Sequence, residues 1–251
     1  MGSGPVSTEA SSLIAVLKFS NHRRRIFSLR DLDGRGPLIV DLSHPYQPGM
    51  PHGTTIPAPE FREVRTLEKH GLRCMELTIP THLGTHLDAP SHFIDDGATV
   101  DQIPVSSLLG PAMCVKVDVA VDQPIEIEHL EAQCEQADPG DALLIRTGSD
   151  ERYLDPDYLH HPYLANETAA WIVERRFRLV GIDTVTPDLP GPLRPKHFSF
   201  PVHLTLLGAG VLILENLSLA HVAGRSFDLF VGALKITGAD GAPARVLALV
   251  N

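Results

Sequence analysis

The chain has 251 residues, of which 43% are hydrophobic and 21% charged, with 20 glycines and 21 prolines. That is the composition of a folded globular chain near the upper size for one hydrophobic core, and it excludes a low-complexity or disordered chain. The net charge of −10 repels phosphate backbones and anionic headgroups, which argues against nucleic acid and membrane surfaces as partners.

Residues 1–35 read as an N-terminal arm with some helical pattern over 10–33, and 36–251 as one larger domain. The arm holds the compact basic run His22-Arg23-Arg24-Arg25, expected to be a solvated patch or a site for an acidic segment in an oligomer. Its apolar stretch at 13–17 precedes those arginines and falls well short of the roughly 18 residues of a membrane span, so neither a signal peptide nor an anchor is read there. Residues 38–42 form a short apolar strand between Gly36-Pro37 and Ser43-His44-Pro45, and 44–59 a loop. Residues 74–79 carry a partial strand alternation that stops at Pro80.

Further on, 114–119 alternates with period two and predicts a strand, and 126–137 places Ile127, Leu130 and Cys134 at helical spacing. Asp138-Pro139-Gly140-Asp141 is a turn, 142–145 a buried strand and 150–165 a polar, aromatic loop. Asn166 is placed to cap a helix running to Arg176. Residues 179–183 are a second buried strand, 184–202 a proline-rich irregular loop and 211–214 a strand. Segments 227–236 and 245–250 flank Gly238-Ala239-Asp240-Gly241 as a hairpin. Strands mixed with a few helices predict an α/β or α+β domain around a mostly buried mixed sheet. The cysteines, Cys74, Cys114 and Cys134, form no CxxC pair. That argues against a disulfide framework or a thiolate zinc site and fits a reducing cytoplasm.

The chemistry concentrates in Pro80-Thr81-His82-Leu83-Gly84-Thr85-His86-Leu87-Asp88-Ala89-Pro90-Ser91-His92, where three of 13 histidines fall within eleven residues. Imidazole and carboxylate suit Zn²⁺ and related ions. Gly84, Pro80 and Pro90 oppose a regular helix. A turn at Gly84-Thr85 followed by extended chain would put His86 and Asp88 on one side, as i and i+2 on a strand. There is no HExxH motif, and Ser91 does not sit on a G-x-S-x-G elbow, so a serine nucleophile is the weaker alternative. A second group follows at 201–216: His203 beside an apolar stretch, and Glu215 at the end of a short strand.

HLGTHLDAPSH resembles the HxGTHxDxPxH signature of the cyclase family, which includes bacterial kynurenine formamidases and isatin hydrolases. HLTLLGAGVLILENL, DLSHPYQPGMP and GIDTVTPD also look like that family, so the resemblance spans roughly 38–235. It implies a cyclase-like α/β domain with a central mixed sheet or flattened β-barrel flanked by helices, assembled as a homodimer or homotetramer. It implies one metal site from His82, His86 and Asp88, a second shared by Asp88, His203 and Glu215, and His92 as the catalytic histidine. The cofactor would be one or two divalent ions, zinc or manganese, and the substrate a small-molecule amide, formamide or cyclic amide. The chain departs from the formamidases, which carry Trp-Pro-Gly where Pro51-His52-Gly53-Thr54 stands here. His52, Phe61, Phe93 and His44 are candidate substrate contacts. Asp183 and Thr184 end a buried strand, where either a site or a turn cap is expected. A metal-dependent cyclase or dehydratase, or a non-enzymatic metal-binding protein, remains as an alternative.

Overall fold

A computed structural model describes residues 38–53 and 56–250; the N-terminal arm lies outside the described residues. The elements in chain order are β1 (Leu38–Asp41), β2 (Glu60–Arg65), α1 (Leu67–His70), β3 (Cys74–Thr78), β4 (His86–Asp88), β5 (Leu109–Lys116), β6 (Pro124–Ile125), β7 (Ala142–Arg146), β8 (Tyr163–Leu164), α2 (Asn166–Glu174), β9 (Leu179–Ile182), α3 (Pro201–Gly208), β10 (Leu212–Glu215), β11 (Ser226–Ala233) and β12 (Gly241–Val250). Short 3₁₀ turns connect several of them.

The main sheet runs β1-β12-β11-β5-β7-β9-β10-β4, and β4 also pairs with β12. That second pairing closes seven strands into a mixed barrel, with β1 added outside β12. Strands β5, β7, β9 and β10 are parallel, and the remaining pairings are antiparallel. Two small sheets, β2-β3 and β6-β8, stand apart from it.

Side chains of alternate parity build two cores, as the period of two requires. Cys114, Leu144, Leu179, Leu214, Leu229 and Val246 belong to the cluster that the barrel encloses. Val115, Ile145, Val180 and Ile213 point the other way and pack with Ile172 of α2 and Val202 and Leu206 of α3. An apolar run such as Ala142–Arg146, buried at every position, is what a strand covered on both faces demands.

Several boundaries differ from the sequence expectation. The alternation at 114–119 belongs to β5, which starts at Leu109 and ends at Lys116. Residues 126–137 form two 3₁₀ turns instead of one helix: the Gln133 side chain takes up the His129 carbonyl (3.2 Å), while its backbone N–H donates to Leu130 (3.1 Å). Leu130 and Cys134 are buried nonetheless. Asn166 is the first residue of α2, with Ala165 in the capping position, and the helix ends at Glu174. The proline-rich loop ends at Phe200, because Pro201 opens α3; proline suits the first helical position, where its missing N–H has no partner to lose.

His161, just ahead of β8, is fully buried; its Nδ1 is 2.8 Å from the Pro162 carbonyl and its Nε2 has no hydrogen-bond partner among the described residues. Burial lowers its pKa from 6.5 to about 4. The unfolded imidazole gains its proton near 6.5 and the folded one only near 4. Stability is therefore complete above about pH 6.5 and falls as pH drops toward 4, by roughly 3 kcal/mol for this group. His161→Gln should flatten that part of the urea-unfolding profile between pH 6.5 and 4; an unchanged profile would mean that His161 is not held neutral.

Candidate metal centre

The closure strand carries the site. Glu215 of β10 pairs with His86, and Gly241 of β12 with Asp88. His86 and Asp88, two apart, share a face, while Leu87 between them enters the enclosed core. The turn before β4 bends at Gly84, whose φ of +57° suits glycine; a Cβ there would meet Met50 Cε at 2.6 Å. Asn216, directly after Glu215, donates from Nδ2 to the Gly84 carbonyl (3.0 Å), and Thr85 donates to the Asn216 carbonyl (2.6 Å). The turn and the end of β10 are thereby locked together.

His86 Nδ1 also reaches the Gly84 carbonyl at 2.7 Å. As a donor there, it turns Nε2 toward Asp88 Oδ1 (3.2 Å) and Glu215 Oε2 (3.3 Å). His203, from the first turn of α3, is oriented by Asp188. One Asp188 oxygen accepts the Val202 N–H (3.1 Å), and the other accepts the His203 N–H (3.1 Å) and lies 2.5 Å from His203 Nδ1. A single carboxylate thus caps the helix and leaves His203 Nε2 facing Glu215 Oε1 (3.2 Å) and Asp88 Oδ2 (3.5 Å). His82 Nδ1 lies 2.7 Å from Asp88 Oδ1, and its Nε2 3.0 Å from Asp240 Oδ2. His92 stacks on His82 with ring centres 3.7 Å apart, its Nδ1 3.4 Å from the same Asp240 oxygen.

Asp88 and Glu215 are both buried. Burial would raise the Asp88 pKa, but His86, His203 and His82 hold it well below 3.8. Burial and the Asp88 charge raise that of Glu215. The imidazoles respond oppositely: burial works to lower them, yet the carboxylates raise His86 and His203, and Asp88 with Asp240 brings His82 to about 9. His92 departs from this pattern. Burial, with His82 and His203 nearby, lowers it to about 4 despite Asp88 and Asp240.

The donor atoms of His82, His86 and Asp88 converge within 4.8 Å, as do those of Asp88, His203 and Glu215. His86 Nε2 and Asp88 Oδ2 are buried without a hydrogen-bond partner among the described residues. Buried polar atoms in close ionic contact but without a well-aligned hydrogen bond, nitrogen and oxygen donors only, and a field that draws positive charge together fit a divalent cation. The residues present suit the group.

Above these residues lies a cavity of about 190 Å³ lined also by His52, Phe93, Arg194 and Phe200. Phe61 is not brought there: it sits in β2 opposite Leu77, on the hairpin set apart from the barrel. His44 stacks on Tyr153 and lines a different cavity. Asp183 accepts N–H groups of Thr147 and Gly148 (2.8–3.0 Å), and the Thr184 hydroxyl donates to the Thr186 carbonyl, so both serve as caps. Asp188, Asp240 and Arg194 were not singled out in the sequence. Asp188 lies within the GIDTVTPD stretch, but it meets the start of α3 from 14 residues upstream, so no local signal marks it as the cap.

The Cyclase family model, described as "Putative cyclase", matches residues 40–189. A kynurenine formamidase of Bacillus mycoides is 34% identical over 176 residues, covering 68% of this chain and 78% of that protein. Isatin hydrolase A of Labrenzia aggregata, solved with benzyl benzoate, superposes with a TM-score of 0.74 at 27% identity, covering 85% of this chain and 93% of its own. Isatin hydrolase A of Ralstonia solanacearum gives 0.75 at 25% identity, over 85% and 92%.

Gly241 admits His82 to its position, since a Cβ there would lie 2.4 Å from the ring. Gly241→Ala should push the imidazole off Asp88 and weaken binding of an added divalent ion by at least about 10- to 100-fold, the loss that follows even when only an orienting partner is displaced. A crystal structure and a zinc titration of the variant check this; an unmoved ring with unchanged affinity would contradict it.

Proposed function

The chain belongs to the cyclase family, and on that premise we propose that it is a metal-dependent hydrolase of amide, aryl formamide or cyclic amide bonds. The observation that carries this reading is the pair of buried atoms that make no well-aligned hydrogen bond among the described residues, His86 Nε2 and Asp88 Oδ2, at the meeting point of five ligand-type side chains. The named relatives hydrolyse non-peptide C–N bonds, which supports the reaction class.

His82, His86 and Asp88 would hold one ion, and Asp88, His203 and Glu215 a second. Their nitrogen and oxygen donors without sulfur favour zinc or manganese. A bound divalent ion polarises a carbonyl and lowers the pKa of water from 15.7 to about 7. His92 supplies proton transfer. Held neutral at pH 7 by its burial, it is free to accept a proton from water and to return it to the departing nitrogen. Asp240, 3.4 Å from His92 Nδ1, favours the proton on that nitrogen and leaves Nε2 as the acceptor. Asp188 keeps His203 in one tautomer. Phe93 and Phe200, with ring centres 5.2 Å apart, form an apolar wall that limits water at the reacting carbon, and His52 borders the entrance. Assembly as a homodimer or homotetramer and residence in the cytoplasm complete the proposal; among the described residues no helix is long and apolar enough to cross a membrane.

The test is a metal analysis of purified protein paired with a screen of aryl formamides and cyclic amides, followed by product mass. A cyclic amide is expected to give one ring-opened product heavier by one water and an aryl formamide to give arylamine plus formate, whereas a product lighter by one water would establish a cyclase or dehydratase instead. His92→Ala should lower kcat by about 10²–10⁴-fold with metal content near wild type. His86→Ala should lose metal and activity together. Metal loss in His92→Ala would make His92 a ligand, and full activity would require another base.

A further inference from the structure

Among the residues lining the cavity, Arg194 carries a permanent positive charge that proton transfer and metal binding leave unused. Its Nε donates to the Leu189 carbonyl at 2.8 Å, which anchors the stem. Its guanidinium carbon lies 4.5 Å from the ring centre of Phe200 and 5.4 Å from that of Phe198. Among the described residues, neither terminal nitrogen has a hydrogen-bond acceptor, and Arg194 lines the cavity. Phe200 links this cation to the metal centre, its ring 5.2 Å from Phe93 and 6.1 Å from His203. Phe200 is also held at φ +53°, ψ +56° directly before Pro201. A bulky residue avoids that region, and a following proline disfavours it further, so the packing imposes a strained backbone at the residue that carries the guanidinium's platform.

We propose that Arg194 is a specificity residue that pairs with a carboxylate carried by the substrate, making the preferred substrate an aryl amide or formamide with a carboxylate on the far side of its ring from the metal centre. The assignment rests on the hydrolase reading above. The planar fork matches a carboxylate through two parallel hydrogen bonds. The aromatic walls between Arg194 and His203 suit a ring joining the two ends. A singly charged group also fits the local balance: Asp188 and Glu215 already lie close enough to act on Arg194, and a doubly charged phosphate would add uncompensated negative charge beside them.

The experiment compares formanilide with 4-formamidobenzoate, whose carboxylate lies across the ring from the formamide, as substrates of the metal-loaded protein, and benzoate with benzamide as calorimetric ligands. Arg194→Met should raise KM for 4-formamidobenzoate about 10- to 100-fold more than for formanilide, the range of a charge-assisted pair. Arg194→Lys should recover only part of that, because an ammonium is no fork. Benzoate binding should weaken in Arg194→Met by a similar factor relative to benzamide. Equal changes for charged and neutral partners, or tighter binding of phenyl phosphate than of benzoate, would overturn the proposal. If the wild type hydrolyses neither these substrates nor any cyclic amide of the screen above, but Arg194→Met still loses benzoate selectively, the hydrolase reading fails and the carboxylate site stands.

Discussion

Two carboxylates side by side in a protein interior are costly, since each loses its hydration and each repels the other. Asp88 and Glu215 are such a pair, and the surrounding structure supplies the positive charge they require. His82, His86 and His203 gather on them, and their raised pKa values report the same negative field that would draw in a dication. In such a centre, protons and metal compete for the same donor atoms. Removing either acid without the imidazoles, or the reverse, would leave buried charge unmatched.

The barrel exists in the form that makes this pair possible. Strand β4 is three residues long, yet it bonds to β10 on one side and β12 on the other. Its register sets Glu215 opposite His86 and Gly241 opposite Asp88. Glu215 ends a parallel strand, where side chains of α/β sheets emerge into a crevice. Helix α3 covers that face and contributes His203, aimed by Asp188. The hairpin loop carrying Asp240 is tied to the chain around His92: Ala89 donates to the Asp240 carbonyl and Val100 to that of Ala239, each at 2.9 Å.

The part of the centre written within one segment was legible in the sequence. Three histidines and Asp88 fall within eleven residues, and Gly84 and the period of two sufficed to predict a turn followed by His86 and Asp88 on one face. The strands at 38–42, 142–145 and 179–183 and the hairpin about residue 240 were legible for the same local reasons. What depends on distant pairing was not. Local sequence carries no mark of β4 bonding to both β10 and β12, and the roles of Asp188 and Asp240 appear only when separate segments meet. Helix α3 was hidden because it is apolar on nearly all sides, with His203 among its buried residues, so no amphipathic period marks it. Phe61, a candidate substrate contact, does not line the cavity above the centre, because β2 and β3 pair with each other away from the barrel.

The most direct test of this account is the structure of the metal-loaded protein with anomalous scattering collected across the metal's absorption edge. The account predicts an anomalous peak bounded by His82, His86 and Asp88 or by Asp88, His203 and Glu215, with His203 Nδ1 still on Asp188. Metal bound elsewhere, while these side chains keep their direct hydrogen bonds to one another, would contradict it.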